Sequence, residues 1–133
     1  MHDKSQLIQE AIKASKLAYA PYSKYFVGAA LLTKSGKIFT GCNVENASYG
    51  LCICAERIAV FNAVSNGERG LSSIAVVTAD GGSSCGACRQ VMYEFNPQLS
   101  IIIANFKGEI VLETTALDLL PHPFGLDGHL TNF

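Results

Sequence analysis

The sequence lacks tryptophan, is poor in charged residues and shows no clustering of its lysines and arginines. Ten Lys and Arg against 11 Asp and Glu leave a formal net charge of -1. A protein that follows a phosphate backbone needs a basic patch or stripe on its surface. We therefore expect a small, uncharged ligand and no nucleic-acid partner.

Long hydrophobic runs are also absent. The longest apolar runs, residues 27–32 and 101–104, are far too short to span a bilayer. The polar N-terminus does not predict a signal peptide, so we expect a cytoplasmic protein with no membrane partner and with one domain over residues 1–133. Charged residues make up only 16% of the chain, against roughly 25% in typical soluble domains, which hints at surface buried in an oligomer.

The spacing of apolar residues predicts an α/β protein. The predicted elements are a helix over 7–18 with Ser5 as its cap, strands over 27–33 and 37–42, a helix over 54–66, a strand over 73–79, a helix from about 85 to 95, strands over 100–105 and 110–114, and a short helix capped by Thr115. The order αββαβαββα indicates a mixed sheet with helices on its faces.

Three of the five cysteines and one glutamate form the chemically most informative set. Cys54 precedes Glu56 by two residues, and Cys85 and Cys88 form a C-x-x-C motif. Three thiolates leave the fourth position of a tetrahedral zinc open to water, as in catalytic zinc sites, and Glu56 could move the protons of that water. Arg57, three residues after Cys54, could reach a sulfur and offset the thiolate charge.

Other interpretations of these residues remain open at this point. Cys52 could join Cys54, Cys85 and Cys88 in a closed four-cysteine site, which would make the chain a structural zinc-binding module. Glu56 could be a solvated carboxylate that is stabilised by the start of a helix. A C-x-x-C motif alone is weak support for catalysis, and its combination with Cys-Ala-Glu is much stronger.

Several further segments extend the pattern over nearly the whole chain. They are Tyr-Ala-Pro-Tyr-Ser at 19–23, Val-Gly-Ala-Ala-Leu-Leu at 27–32, Gly-Cys-Asn-Val-Glu-Asn-Ala at 41–47, Cys-Ala-Glu-Arg at 54–57, Cys-Gly-Ala-Cys-Arg-Gln-Val at 85–91 and Leu-Leu-Pro at 119–121 followed by Phe124. Together with the cysteine motifs, they resemble the small homotetrameric cytidine deaminases of nucleoside salvage.

The resemblance implies a fold, a cofactor and a reaction. The fold would be a three-layer α/β/α sandwich with a mixed five-stranded sheet, and Cys54, Cys85 and Cys88 would bind Zn²⁺. Glu56 would take a proton from the attacking water, protonate N3 of the base and later protonate the leaving amino group. The products of cytidine and 2′-deoxycytidine would be uridine and 2′-deoxyuridine, with release of ammonia. Deamination of another aminated nucleoside, as in the blasticidin-type deaminases, is the alternative.

The same resemblance assigns the substrate contacts. Asn43 and Glu45 would hold the ribose 3′-hydroxyl, and Ala55 would also contact the substrate. Tyr25 and Phe124 would flank the base, with Phe124 supplied by a neighbouring subunit of the homotetramer. Two positions depart from the family pattern: Tyr25 replaces a phenylalanine, and Ser84 replaces the proline before the C-x-x-C motif.

Overall fold

The protein is described by a computed structural model that covers residues 3–126. The elements in that range are α1 (Lys4–Ser15), β1 (Gly28–Thr33), β2 (Ile38–Cys42), a 3-10 helix (Tyr49–Leu51), α2 (Ala55–Ser65), β3 (Leu71–Thr78), α3 (Gly86–Phe95), β4 (Ser100–Asn105), β5 (Ile110–Thr115) and α4 (Ala116–Leu119). The predicted order of helices and strands is confirmed.

The five strands form one mixed sheet in the order β2-β1-β3-β4-β5. β3 and β4 run parallel, and the other neighbouring pairs are antiparallel. Parallel neighbours need a crossover connection, and α3 lies in the segment that joins β3 to β4. The first residues of α3 therefore follow the carboxyl end of β3, where the loop over residues 79–85 lies.

Helices cover both faces of the sheet and make three layers. α1 packs on one face and α2 and α3 on the other, as the two buried clusters show. Alternate residues of β3 divide between them, because Ala75 and Val77 face α1 whereas Ile74 and Val76 face α2 and α3. Burial on both faces explains the continuous apolar run of this strand. The predicted α/β/α sandwich is confirmed.

Two glycines let the helices touch the backbone of the β1–β2 hairpin. A Cβ atom on Gly28 would lie 1.9 Å from the carbonyl oxygen of Ala11 in α1. On the opposite face, a Cβ atom on Gly41 would lie 2.5 Å from the carbonyl oxygen of Ala55 in α2. The first turn of α2, which follows Cys54, is thus fixed directly against β2.

The predicted boundaries of α1 are wrong at both ends. Asp3, and not Ser5, caps the helix, because its side-chain oxygen accepts a hydrogen bond from the Gln6 backbone N–H at 2.8 Å. The helix ends at Ser15 because the chain then extends to pair Tyr19 with Val44. None of the helices within residues 3–126 has the length and apolar character needed to cross a bilayer.

Candidate metal centre and substrate pocket

The three predicted cysteine ligands lie together. The sulfur atoms of Cys54, Cys85 and Cys88 are all within 4.8 Å of one another, with Sγ of Cys85 3.7 Å from that of Cys54 and 3.5 Å from that of Cys88. Tetrahedral zinc with Zn–S bonds of about 2.3 Å places its sulfurs about 3.8 Å apart. The donor set and its spacing therefore fit Zn²⁺, with a fourth position left for another ligand.

The fold brings the cysteines together by directing two helix starts at one point. Cys54 is the N-cap residue of α2, Cys85 is the N-cap residue of α3, and Cys88 lies in the first turn of α3. Unpaired backbone N–H groups and the helix dipole favour negative charge at such positions. A hydrogen bond with Cys88, and more weakly the Arg57 side chain, lower the pKa of Cys54 to about 5. The hydrogen bond with Cys54 and burial raise the pKa of Cys88, so Cys54 ionises before Cys88 and a bound cation would be needed to ionise both.

Arg57 makes the predicted contact with the cluster. Its Nη2 lies 3.5 Å from the sulfur of Cys54, and this contact raises the already high pKa of the guanidinium. The charge-offsetting geometry proposed from the sequence is present. The Nε atom of the same side chain is buried and has no hydrogen-bond partner within residues 3–126.

Cys52 is not part of this cluster. Its sulfur accepts a hydrogen bond from the Asn46 backbone N–H at 3.3 Å and lies outside the group of three sulfurs. A closed shell of four cysteines, the structural alternative considered from the sequence, is therefore not assembled in the described part of the chain. The cluster keeps the open character that catalysis needs.

Glu56 is buried beside the sulfur cluster, with 4% of the residue exposed. Burial raises the pKa of its carboxyl group, and the charge of Cys54 acts in the same direction. A carboxyl with a raised pKa exchanges protons more readily near neutral pH than an exposed one does. Glu56 is therefore not the solvated carboxylate that the sequence left as an alternative.

A cavity of about 320 Å³ opens above these residues. Its walls consist of cysteines of the cluster, Glu56 and residues from three further segments. These segments are the stretch before β1, the stretch after β2 and the end of β3 with the loop that follows it. The lining residues are Ser23, Tyr25, Val27, Asn43, Glu45, Cys52, Ile53, Cys54, Glu56, Val76, Thr78, Gly82, Ser83 and Cys85. Its size suits a small ligand.

Asn43 and Glu45 both line the cavity, as expected of alternate residues in an extended segment. The segment that carries them lies between Tyr19 and Ile53, because Val44 forms bridges to both. The Glu45 carboxylate accepts hydrogen bonds from the Tyr22 backbone N–H at 3.0 Å and from the Ser23 hydroxyl. These bonds lower the pKa of Glu45, so the carboxylate at this end of the cavity is charged.

The Asn43 side chain is already engaged with the protein backbone. Its Oδ1 accepts from the Val27 N–H at 2.9 Å, and its Nδ2 donates to the Tyr25 carbonyl at 2.8 Å. An amide nitrogen has two N–H groups, so one donor of Asn43 remains for a ligand. The side chain holds the Tyr25 segment in place as well as facing the cavity.

The loop before the C-x-x-C motif is held by Arg89. This side chain donates to the Ser84 carbonyl at 2.8 Å, to the Ser83 hydroxyl at 3.2 Å and to the Leu119 carbonyl at 2.9 Å. These three bonds anchor the loop to α3 and to the end of α4. The hydroxyl of Ser84 is buried and has no hydrogen-bond partner among residues 3–126. It lies close to Glu56 and lowers the pKa of that carboxyl group, but burial raises this pKa by more.

Two predicted contact residues lie away from the cavity wall. Ala55, in the first turn of α2, is fully buried in the core, whereas Phe124 is 74% exposed. Gln90 Nε2 donates to the Phe124 carbonyl at 3.0 Å. Conversely, Ser23, Thr78 and Gly82 line the cavity without having been predicted. The signal available for the last two was their position at the carboxyl end of β3 and in the loop after it, since ligands bind at the carboxyl ends of parallel strands.

Comparison with known proteins agrees with this geometry. Residues 1–104 match the family model of the cytidine and deoxycytidylate deaminase zinc-binding region. The cytidine deaminase of Sporosarcina psychrophila is 50% identical over 125 residues, which are 92% of this chain and 91% of that enzyme. The blasticidin-S deaminase of Bacillus cereus is 30% identical over 126 residues, 87% of this chain and 88% of that enzyme.

A solved structure shares the whole architecture. The crystal structure of cytidine deaminase from Burkholderia pseudomallei superposes with a TM-score of 0.88 and 51% identity, covering 93% of this chain and all of that one. Its similarity thus extends beyond the residues that the family model matches. By its sequence, its fold and its three-cysteine centre, this chain belongs to the cytidine and deoxycytidylate deaminase family.

Proposed function

We propose that the chain catalyses the hydrolytic deamination of cytidine and 2′-deoxycytidine to uridine and 2′-deoxyuridine, with release of ammonia. The observation that carries this proposal is the cavity that Glu56 and two cysteines of the cluster, Cys54 and Cys85, line together with Asn43 and Glu45. One site, of a size that suits a nucleoside, thus contains a reacting centre and polar side chains that can bind a sugar.

Each group in the cavity has a role in this proposal. Cys54, Cys85 and Cys88 would hold Zn²⁺, which would supply the Lewis acidity that makes water nucleophilic at neutral pH. Glu56 accepts a proton from the attacking water and delivers it to N3 of the base. It then accepts the remaining proton of the new C4 hydroxyl and passes it to the amino group, which leaves as ammonia while the C4 carbonyl of the product forms. Its buried position next to the cluster keeps competing water away from these transfers.

The sugar contact is supported by the charge and hydrogen bonds at Glu45. Its carboxylate accepts from a ribose hydroxyl, while the free N–H of Asn43 donates to the same region. Tyr25 lies along the cavity as a wall for the flat base. Ala55, the first residue of α2, contacts the substrate next to Glu56 in this proposal.

We further propose a cytoplasmic homotetramer of pyrimidine salvage in which residues 1–133 form one domain and subunits share active sites. Phe124 supports this arrangement because its ring is 74% exposed and does not line the cavity of its own chain, while Gln90 holds its backbone. An exposed aromatic on an anchored backbone suits a contact with a neighbouring subunit.

Ammonia release measured with cytidine, 2′-deoxycytidine, cytosine and blasticidin S tests the substrate class, together with zinc content. We expect turnover of both nucleosides, little turnover of the free base, and zinc bound to the protein. Activity on cytosine alone would contradict the role of Glu45 and Asn43. Activity on blasticidin S in place of cytidine would favour the alternative, for which the 30% identical relative is the supporting observation.

A further inference from the structure

The hydroxyl of Tyr25 is bound to a side chain far away in sequence. Its Oη donates to Oδ1 of Asp80 at 2.7 Å, and the two residues are 55 positions apart. The same Asp80 oxygen accepts from the Thr78 hydroxyl at 3.1 Å and from the Gly82 N–H at 3.1 Å. The lead-in to β1 is thereby tied to the loop that runs from the end of β3 to Cys85.

The loop also shows a backbone position that accommodates this hydroxyl. A Cβ atom on Gly82 would lie 2.6 Å from Oη of Tyr25, while the next nearest atom of that side chain, Cζ, would be 3.8 Å away. Contacts below 3.0 Å force a shift, and those near 3.8 Å are ordinary. The absence of a side chain at Gly82 thus matters because residue 25 is a tyrosine.

We propose that Asp80 and Gly82 are positioning residues for the substrate base, acting through Tyr25, which they hold as a fixed aromatic wall of the cavity. The inference rests on the proposed function in one respect, the identity of the base as cytosine. The hold on Tyr25 itself depends on contacts among residues 25, 43, 78, 80 and 82.

Tyr25 is held both at its backbone and at its hydroxyl group. At the backbone end, Asn43 Nδ2 donates to the Tyr25 carbonyl at 2.8 Å. At the hydroxyl end, Asp80 accepts the phenolic proton, and the pKa of Asp80 is lowered chiefly by this bond. A ring that is held before the ligand arrives costs less ordering on binding. With phenylalanine at position 25, only the backbone attachment would remain.

This arrangement predicts an effect on binding rather than on the chemical step. Tyr25, Thr78 and Gly82 line the cavity, but the contacts described here do not reach Glu56 or the cysteine sulfurs. Loosening the ring therefore weakens substrate and transition state alike, which raises KM and leaves kcat nearly unchanged.

Kinetics of three single variants and two double variants on cytidine test the proposal, with zinc content measured for each. For Tyr25→Phe and for Asp80→Ala we expect KM to rise roughly three- to tenfold, with kcat within about twofold of the wild type. The double variant Tyr25→Phe/Asp80→Ala should be no worse than Asp80→Ala alone, because Asp80→Ala already removes the bond that Tyr25→Phe removes. Tyr19→Phe, which removes a tyrosine hydroxyl outside the cavity, is the matched control.

Gly82→Ala tests the contact between residue 82 and the Tyr25 hydroxyl directly. We expect it to raise KM when residue 25 is tyrosine and to have a much smaller effect in the Tyr25→Phe background, where the atom 2.6 Å away is gone. Equal effects of Gly82→Ala in the two backgrounds, or additive effects of Tyr25→Phe and Asp80→Ala, would overturn the proposal. So would a fall in kcat or in zinc content without a change in KM.

The same double-variant comparisons on melting temperature separate this inference from the proposed function. A wild-type protein that releases no ammonia from cytidine would contradict the proposed function. Non-additive melting temperatures would still support the contact between residues 25, 80 and 82, and additive ones would refute it.

Discussion

Arg57 and Cys54 are joined by a contact one helical turn along α2, in which Nη2 of the arginine lies 3.5 Å from the cysteine sulfur. Three thiolates on one Zn²⁺ give a net negative centre, which lowers the ability of the metal to polarise water. A guanidinium on one sulfur draws part of that charge away. The contact therefore predicts that Arg57 affects the reactivity of the centre.

Arg57→Gln should lower kcat by roughly 10- to 100-fold, the usual range for residues that support metal ligands. The uncharged amide leaves the thiolate charge on Cys54 without its counter-ion, while the three sulfurs remain. Steady-state kinetics with metal analysis measures this. Arg69→Gln is the control, since Arg69 donates to the Val64 and Glu68 carbonyls and not to a sulfur. Equal kcat values for the two variants would contradict the role of Arg57.

Glu56→Gln should retain zinc and lose turnover by roughly three orders of magnitude, because the amide is nearly isosteric but cannot exchange protons. The loss should appear in kcat. Ultraviolet absorbance of the base follows turnover directly, and Glu10→Gln on α1, across the sheet, is the matched change. Near-normal turnover by Glu56→Gln would remove this residue from the proposed mechanism.

Cys88→Ser and Cys52→Ser should separate a three-sulfur site from a four-sulfur one. We expect Cys88→Ser to lose most of its zinc, because a buried ligand of the cluster is replaced. Cys52→Ser should keep about one zinc per chain, since the Cys52 sulfur interacts with Asn46 outside the cluster. Atomic absorption after dialysis measures both. Loss of zinc from Cys52→Ser would restore the four-cysteine alternative.

Phe124→Ala should raise KM, since the proposed tetramer loses an aromatic wall contributed by a neighbouring chain. Co-expression of Phe124→Ala with Glu56→Gln gives a direct test of sharing. A mixed tetramer can combine an intact Glu56 from one chain with an intact Phe124 from the other, so catalytic efficiency should exceed that of either variant alone. Efficiency no higher than that of the separate variants, with mixed tetramers verified by tagged subunits, would refute a shared site.

The elements that sequence patterns predicted well are those whose signal is local. The apolar run around Ile74 and Val76 corresponds to β3, and the cysteine spacing placed Cys85 and Cys88 on one helical turn. Gly67, with a φ of +91°, follows α2 as expected of a glycine that ends a helix. These features depend on neighbours within a few residues, which a sequence shows directly.

The missed features depend on how distant segments meet. The bond between Tyr25 and Asp80 requires β1 to lie beside β3 in a particular register, with Gly28 opposite Val77. The bond from Arg89 to the Leu119 carbonyl likewise requires the end of α4 to pack against α3. Register and helix packing depend on the whole core, so the partners of these polar side chains could not be chosen from their local sequence.

The position of the ligands at helix starts has a consequence for how metal is loaded. Cys54 and Cys85 are N-cap residues whose backbones are fixed by α2, α3 and the close contact at Gly41. The separation between donor atoms is thus set mainly by rigid elements instead of long, mobile side chains. Most of the ordering cost of the centre therefore falls on folding, and a zinc ion would bind to sulfur donors that the fold already holds in place.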